Sequence, residues 1–119
     1  MKITIDLKLS NWNDIINANR RNKYSGNQLK QKEMKNISYF LIGKPKITKY
    51  PVKLICTWHI KNINQDLDNK SLKMVLDQLQ KQGILENDNL KHINEITHKY
   101  IKDTKDYLEL EILDGNSKD

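Results

Sequence analysis

Two aspartates, Asp66 and Asp68, stand two residues apart just before a stretch with helical periodicity. If that segment is extended, both side chains point the same way. At about 4 Å and an effective dielectric of about 20, two carboxylates repel by about 4 kcal/mol, so a site that brings them together needs a cation between them. Mg²⁺ suits such a site because it prefers hard oxygen ligands and takes few carboxylates from a protein. The alternative interpretation is that Asp68 or Asn69 caps the helix and Asp66 is a solvated loop acid.

A third acid, Asp88, is expected to join this pair. The helix predicted over residues 69–82 spans about 21 Å at about 1.5 Å per residue. The residues 84–88, if extended, retrace about 17 Å of that length. Asp88 is therefore expected to return close to the start of the helix, beside Asp66 and Asp68, where it would complete the magnesium site.

The run NQDLDNKSLKMVLDQLQKQGILENDNLKHI, residues 64–93, carries these acids in a defined order. It resembles the signature of the RusA family of crossover junction endodeoxyribonucleases. In that signature a DxDN motif is followed by a helical lysine, an LDxL segment, a glycine, two apolar residues and an acidic pair. The matched positions are Asp66, Asp68, Asn69, Asp77, Leu79 and Asp88.

Two positions depart from this pattern. The first acid of the late pair is replaced by Asn87, so a role that needs negative charge there is lost, while the second acid is retained as Asp88. The lysine is also ambiguous. Lys73 aligns when the helix is matched backward from LDQL, but it lies one residue further from Asp68 than in the tightest form of the motif, and Lys70 is the competing candidate.

The resemblance implies a magnesium-dependent Holliday junction resolvase, with Mn²⁺ as an alternative ion. Asp66, Asp68 and Asp88 would be the catalytic metal ligands, and Lys73 would act as a catalytic point charge beside the phosphate. It further implies a homodimer that nicks two opposing strands of a four-way junction, one per subunit, in DNA recombination and repair, and a phage or prophage origin. A two-fold enzyme matches the two-fold symmetry of the junction.

The charge distribution indicates a polyanionic partner. The chain has a net charge of +6, and residues 1–50 hold eleven Lys or Arg against three acids. Such a basic half favours binding to branched DNA, because lysine and arginine release the counterions condensed on a polyanion. A lysine-rich composition typical of AT-rich genomes is the other explanation. The residues predicted to contact DNA are Arg20, Arg21, Lys23, Tyr24, Lys30, Lys70, Lys32 and Lys35.

Two other functions are compatible with the same residues. A non-catalytic basic DNA-binding accessory protein would keep the basic half and cut nothing. A magnesium nuclease that prefers flaps or other branched DNA would use the same acids and lysines. The test that separates them from a resolvase is cleavage of junction, flap and linear duplex.

The rest of the composition narrows the class of protein. A length of 119 residues suits one domain, and 37% hydrophobic residues with a mean hydropathy of −0.79 predict a modest core. Cys56 cannot form an internal disulfide and is expected to be buried. His59, His92 and His98 lack zinc spacing and are expected on the surface or in packing. No apolar stretch suits a membrane span or signal peptide, so a cytoplasmic location and no membrane partner are expected.

The predicted elements form a small α/β (α+β) domain. Hydrophobic periodicity predicts the order β, α, α, β, α, β, β, with a short helix near Asp14 and the other elements over residues 2–9, 28–42, 53–61, 69–82, 92–101 and 107–113. Gly83 is the expected C-terminal cap of the last helix. The final two strands are expected to pair as a hairpin. This order predicts a single domain over residues 1–114, with a mixed sheet of about four strands, helices packed on one face, and a disordered tail over 115–119.

Overall fold

The computed structural model describes residues 1–9, 20, 23–64 and 72–116, with backbone alone for 23–26. Four strands of the described chain form one mixed sheet in the order β1-β4-β2-β3, and two helices accompany it. The predicted α+β class with a mixed four-stranded sheet is confirmed. The elements are β1 (Lys2–Ile5), α1 (Lys23–Tyr39), β2 (Val52–Ile60), α2 (Leu72–Lys81), β3 (Ile93–Lys102) and β4 (Tyr107–Asp114).

The predicted hairpin between β3 and β4 is wrong, because β2 lies between them. β2 pairs with β3 in parallel, from Lys53 opposite Glu95 to Ile60 opposite Lys102. β2 pairs with β4 antiparallel, from Val52 opposite Asp114 to His59 opposite Tyr107. The physical reason is burial: β2 is the most apolar strand and gains most from neighbours on both sides, whereas β3 buries only Ile93 and takes the edge.

The core lies between the sheet and the helices. On β2, alternate side chains are buried, as the period of a strand requires. The predicted stripe of α2 is confirmed, because Leu72, Val75, Leu76 and Leu79 are all buried. Helix α1 packs against α2 and contributes Ile37 to the same core. The inward residues of this core on β2 are Val52, Leu54, Cys56, Trp58 and Ile60.

The C-terminal end of α2 follows its prediction. Gly83 has a φ of +76°, which lies in the left-handed region that glycine adopts without strain. The backbone N–H of Ile84 then donates to the Leu79 carbonyl at 2.9 Å. This geometry closes the helix and turns the chain toward β3.

Several boundaries differ from the prediction. β1 ends at Ile5 rather than near residue 9, because the Leu7 N–H donates back to the Ile5 carbonyl and turns the chain. Gly115, expected in the tail, is buried and donates its N–H to the Pro51 carbonyl at 2.8 Å. The short helix predicted near Asp14 lies outside the described residues. No helix in the described part of the chain is long and apolar enough to cross a membrane.

Candidate functional site

The segment that carries Asp66 and Asp68 connects the end of β2 to the start of α2. Asp66, Asp68 and Lys70 lie outside the described residues, which stop at Asn64 and resume at Leu72. In a parallel crossover the connecting helix runs back along the sheet, so α2 starts near the end of β2 and finishes near the start of β3. The last described residue before the acidic segment, Asn64, follows the end of β2.

The strand end before this segment is held by hydrogen bonds from the β3–β4 connection. The Asp103 N–H donates to the Ile60 carbonyl at 2.9 Å, and Lys102 Nζ donates to the Lys61 carbonyl at 2.5 Å. The Lys61 N–H in turn reaches Asp106 Oδ1 at 3.4 Å. These bonds hold the end of β2 against the end of β3 and the chain that follows it.

Asp88 lies at the opposite end of α2. Residues 82–92 form turns and bends rather than an extended run. Two bonds to the Leu79 carbonyl, from the N–H groups of Ile84 and Leu85, fold this segment over the helix end. The Glu86 N–H then donates to the Tyr50 hydroxyl at 2.9 Å, just before β2.

The segment before Asp88 therefore does not retrace the helix as expected. Ile84 and Leu85 are buried in the core, which holds the chain at the end of α2. Asp88 itself is exposed, and its N–H bonds to Asn87 Oδ1 at 2.7 Å. Its meeting with Asp66 and Asp68 stays a prediction. Within the described ranges, no group of three or more His, Cys, Asp or Glu side chains is placed to hold a metal ion.

The predicted metal ligands fit Mg²⁺ by their chemistry. All three are carboxylates, the hard oxygen donors that Mg²⁺ prefers. The exposure of Asp88 leaves it accessible to an ion and to waters, which Mg²⁺ keeps in its shell. Lys73 is exposed in the first turn of α2, five residues after Asp68 along the chain. Its side chain is therefore accessible to solvent and to a phosphate.

The predicted DNA-binding residues are only partly described. Arg20 is exposed, Lys30 is half-buried on α1, and Lys32 and Lys35 are exposed on the same helix. The backbone of Lys23 and Tyr24 is helical at the start of α1, and their side chains lie outside the description, as does Arg21. Helices α1 and α2 border an open cleft of about 440 Å³ with a mixed polar and apolar lining, which consists of Gln31, Met34, Lys35, Ser38, Gln78, Lys81 and Gln82.

An ionisable cluster that was not predicted from the sequence surrounds the buried His59, close to the end of β2. His59 Nδ1 lies 2.9 Å from Asp103 Oδ2, and His59 Nε2 lies 2.5 Å from Glu109 Oε1. The ring stacks on Tyr107 with centroids 3.9 Å apart. Ionised carboxylates only accept hydrogen bonds, and the tautomer of His59 decides which of its two ring nitrogens donates. We call His59, Asp103, Tyr107 and Glu109 the histidine clamp.

The electrostatics of the histidine clamp follow from these contacts. The pKa of Asp103 is lowered, first by the Thr104 backbone N–H that donates to it and then by His59. The pKa of Tyr107 is raised, first by desolvation and then by the negative charges of Asp103 and Glu109. The first effect favours the ionised form of Asp103, and the second favours the neutral phenol of Tyr107. The clamp therefore ties β2 to β4 and to the β3–β4 connection.

The other histidines and the cysteine have packing roles in the described chain. Trp58 Nε1 donates to His98 Nδ1 at 3.0 Å, and His92 packs edge-on against Tyr50. Cys56 is fully buried, as predicted, and burial raises the pKa of its thiol to about 12. A thiol in this state is not a nucleophile at neutral pH.

The sequence was compared with protein-family models and with curated proteins. No protein-family model matches the sequence, and no curated protein matches it significantly. The resemblance to the RusA family therefore rests on the motif residues alone.

Proposed function

We propose that the protein is a magnesium-dependent, structure-specific DNA endonuclease that resolves Holliday junctions in the cytoplasm. The observation that carries the proposal is the ordered run of residues 64–93, which combines an acidic pair, a lysine-bearing helix and a late acid. The described part of this run supports it: α2 is an amphipathic helix that begins directly after the acidic segment, with Lys73 exposed. The exposed lysines of α1 supply charge for a DNA backbone.

The proposed chemistry is phosphodiester hydrolysis. Asp66, Asp68 and Asp88 would hold Mg²⁺, which when bound supplies charge neutralisation at the scissile phosphate and acidifies a water molecule. Lys73 would place a point charge beside the phosphate, where negative charge builds up in the transition state. Lys70 is the alternative for this role. Arg20 and the α1 lysines would hold the arms through phosphates without reading sequence.

The proposed assembly is a homodimer. A four-way junction presents two equivalent strands, and a two-fold enzyme can place one acidic site on each. Paired nicks then leave two duplexes.

A non-catalytic DNA-binding accessory protein is the second candidate. It is favoured by the position of Asp88, which is held at the end of α2 away from the start of that helix. It is also favoured by Asn87, which removes one acid of the motif. This candidate keeps the basic surface and needs no metal.

The deciding experiment is cleavage of a mobile four-way junction with and without Mg²⁺, using the wild-type chain and the variants Asp66→Asn and Asp68→Asn. We expect cleavage to depend on the metal and to fall at least about a hundredfold in both variants, because each loses a charged metal ligand. Junction binding should persist or improve, since a negative charge near the backbone is removed. The matched control is Asp114→Asn, an exposed acid at the end of β4, which should cut like wild type.

The outcomes separate the three functions. A wild-type chain that binds junctions but never cuts them with Mg²⁺ or Mn²⁺ establishes the accessory protein. A chain that cuts flaps faster than junctions establishes a flap nuclease. For the lysines, Lys73→Ala should lower the single-turnover rate with little change in the Kd for DNA, and Lys70→Ala should do so instead if it is the catalytic lysine.

A further inference from the structure

The open cleft between α1 and α2 is large enough for a small molecule. Its volume of about 440 Å³ lies within the range of about 300–1,000 Å³ that is typical of small-molecule sites. The residues of each wall are three or four positions apart, which is the spacing of one helical face. They are Gln31, Met34, Lys35 and Ser38 on the first wall and Gln78, Lys81 and Gln82 on the second. We call this space the α1–α2 cleft.

Gln78 is a buried polar side chain in the wall of this cleft, with 5% of its surface exposed. Its amide can donate two hydrogen bonds and accept others, but it forms none with another residue in the described ranges. The neighbouring glutamines differ, because Gln80 Nε2 donates to the Leu76 carbonyl at 3.2 Å and Gln82 Nε2 donates to the Ser38 carbonyl at 3.1 Å. Because burying an amide without a hydrogen bond costs stability, Gln78 is suited to pair with a polar group that enters the cleft.

The charge of the α1–α2 cleft is positive. Lys35 contributes one ammonium group from α1, and Lys81 contributes a second from the last turn of α2. The lining residues all lie in the described ranges, and none of them is acidic. Lysine binds phosphate as a point charge, without the fixed geometry that arginine imposes. The cleft is therefore suited to an anionic ligand such as a phosphate.

The lining also offers contacts for an aromatic ring. Met34 is half-buried in the α1 wall, and a thioether packs favourably against aromatic rings. The Gln78 amide presents a donor and an acceptor side by side, which is the pattern that glutamine uses against the edge of an adenine base. A phosphate and an aromatic ring with a hydrogen-bonding edge occur together in a nucleotide.

We propose that the α1–α2 cleft binds a free nucleoside monophosphate, with its phosphate on Lys35 and Lys81 and the edge of its base on Gln78. This site goes beyond the proposed nuclease. Its lining includes none of the residues proposed to hold the metal ion, and it shares only Lys35 with the residues proposed to bind DNA. Its tests use the protein without DNA or metal, so their failure leaves the nuclease proposal standing.

The first test is calorimetric titration of the full chain with AMP, adenosine and inorganic phosphate. AMP should bind to one site per chain with a Kd below about 1 mM. It should bind more tightly than adenosine or phosphate, because only AMP makes both sets of contacts. The absence of saturable AMP binding at that concentration overturns the proposal. A single-stranded oligodeoxyadenylate that binds more tightly than AMP and displaces it also overturns the proposal, because the cleft would then be a site for DNA.

The second test assigns the binding to this cleft. Gln78→Leu removes the amide and should weaken AMP binding about tenfold without changing its dependence on salt. Its matched control is Gln80→Leu, on the same helix but outside the lining, which should bind AMP like wild type.

The lysines are tested by the salt dependence of the same titration. Lys81→Gln should weaken AMP binding and reduce the loss of affinity with added salt, because one attraction that salt screens is removed. Lys99→Gln, which replaces an exposed lysine on β3, is the matched control and should change neither quantity. Circular dichroism verifies that each variant is folded. Equal AMP affinity in the wild type, Gln78→Leu and Lys81→Gln overturns the assignment to the α1–α2 cleft.

Discussion

Replacing His59 by alanine should destabilise the fold strongly, although this residue lies at the end of a strand. The His59 side chain is buried, with 9% of its surface exposed, and both ring nitrogens bond to carboxylates. The variant leaves Asp103 and Glu109 without their shared partner. It also removes the ring that stacks on Tyr107.

The expected loss follows from the geometry of the clamp. Breaking a fully buried ion pair costs about 3–5 kcal/mol, whereas a pair at the surface contributes less than about 1 kcal/mol. His59 is buried, but the side chains of Asp103 and Glu109 are 31% and 45% exposed, so water screens their repulsion. We therefore expect His59→Ala to lower the free energy of unfolding by about 2–3 kcal/mol. For a domain of this size that lowers Tm by about 10 °C.

The assay is urea unfolding followed by circular dichroism, with protein concentration held constant. His59→Gln should lose less than His59→Ala, because its amide still donates to one carboxylate. In a Glu109→Gln background, His59→Ala should lose less again, since one of the two charges is gone; this double-mutant cycle isolates the coupling. A loss below about 0.5 kcal/mol for His59→Ala, or equal losses in both backgrounds, would refute an energetic role for the clamp.

Three further outcomes are expected from particular residues. Burial lowers the pKa of His98, so its neutral form stabilises the fold; this stability is complete above pH 6.5 and is lost as pH falls through the lowered pKa. Urea titrations between pH 7.5 and 5 should show a fall in the free energy of unfolding, and His98→Asn should make that fall smaller. Gly83→Ala should cost about 1 kcal/mol by urea unfolding, because φ is +76° although the added Cβ meets no atom within 4 Å. Cys56 should react with a thiol reagent only after unfolding, because burial raises its pKa to about 12, and a fast native-state reaction would contradict that burial.

The elements of this fold could be predicted because their signals are local. The stripe of α2, the alternation of β2 and the inward residues of β4 are encoded within each segment. The strand order could not be predicted this way. Strands that are adjacent in sequence suggest a hairpin, but β2 lies between β3 and β4. Its position depends on how apolar β2 is relative to strands about 30–50 residues away, and the hydrophobic pattern within one segment carries no information on that comparison.

The candidate site, like the fold, could be predicted from the sequence only in part. The acidic pair Asp66 and Asp68 is readable from spacing, and so is the helix that follows it. The path to Asp88 is not, because it depends on two backbone bonds to the Leu79 carbonyl. The histidine clamp could not be predicted from the sequence either. Its members meet only when β2 and β4 take the register that places His59 opposite Tyr107.

The central place of β2 has a consequence for biosynthesis. When β2 leaves the ribosome, neither neighbour exists, since β3 begins about 30 residues later and β4 about 50 residues later. The interval is longer still for β1, because β4 is its one partner in the described sheet and is synthesised last of the four strands. Nascent chains must therefore carry an apolar strand without its sheet partners until β3 and β4 have been synthesised, and a chaperone that shields β2 during this time would raise the yield of folded protein.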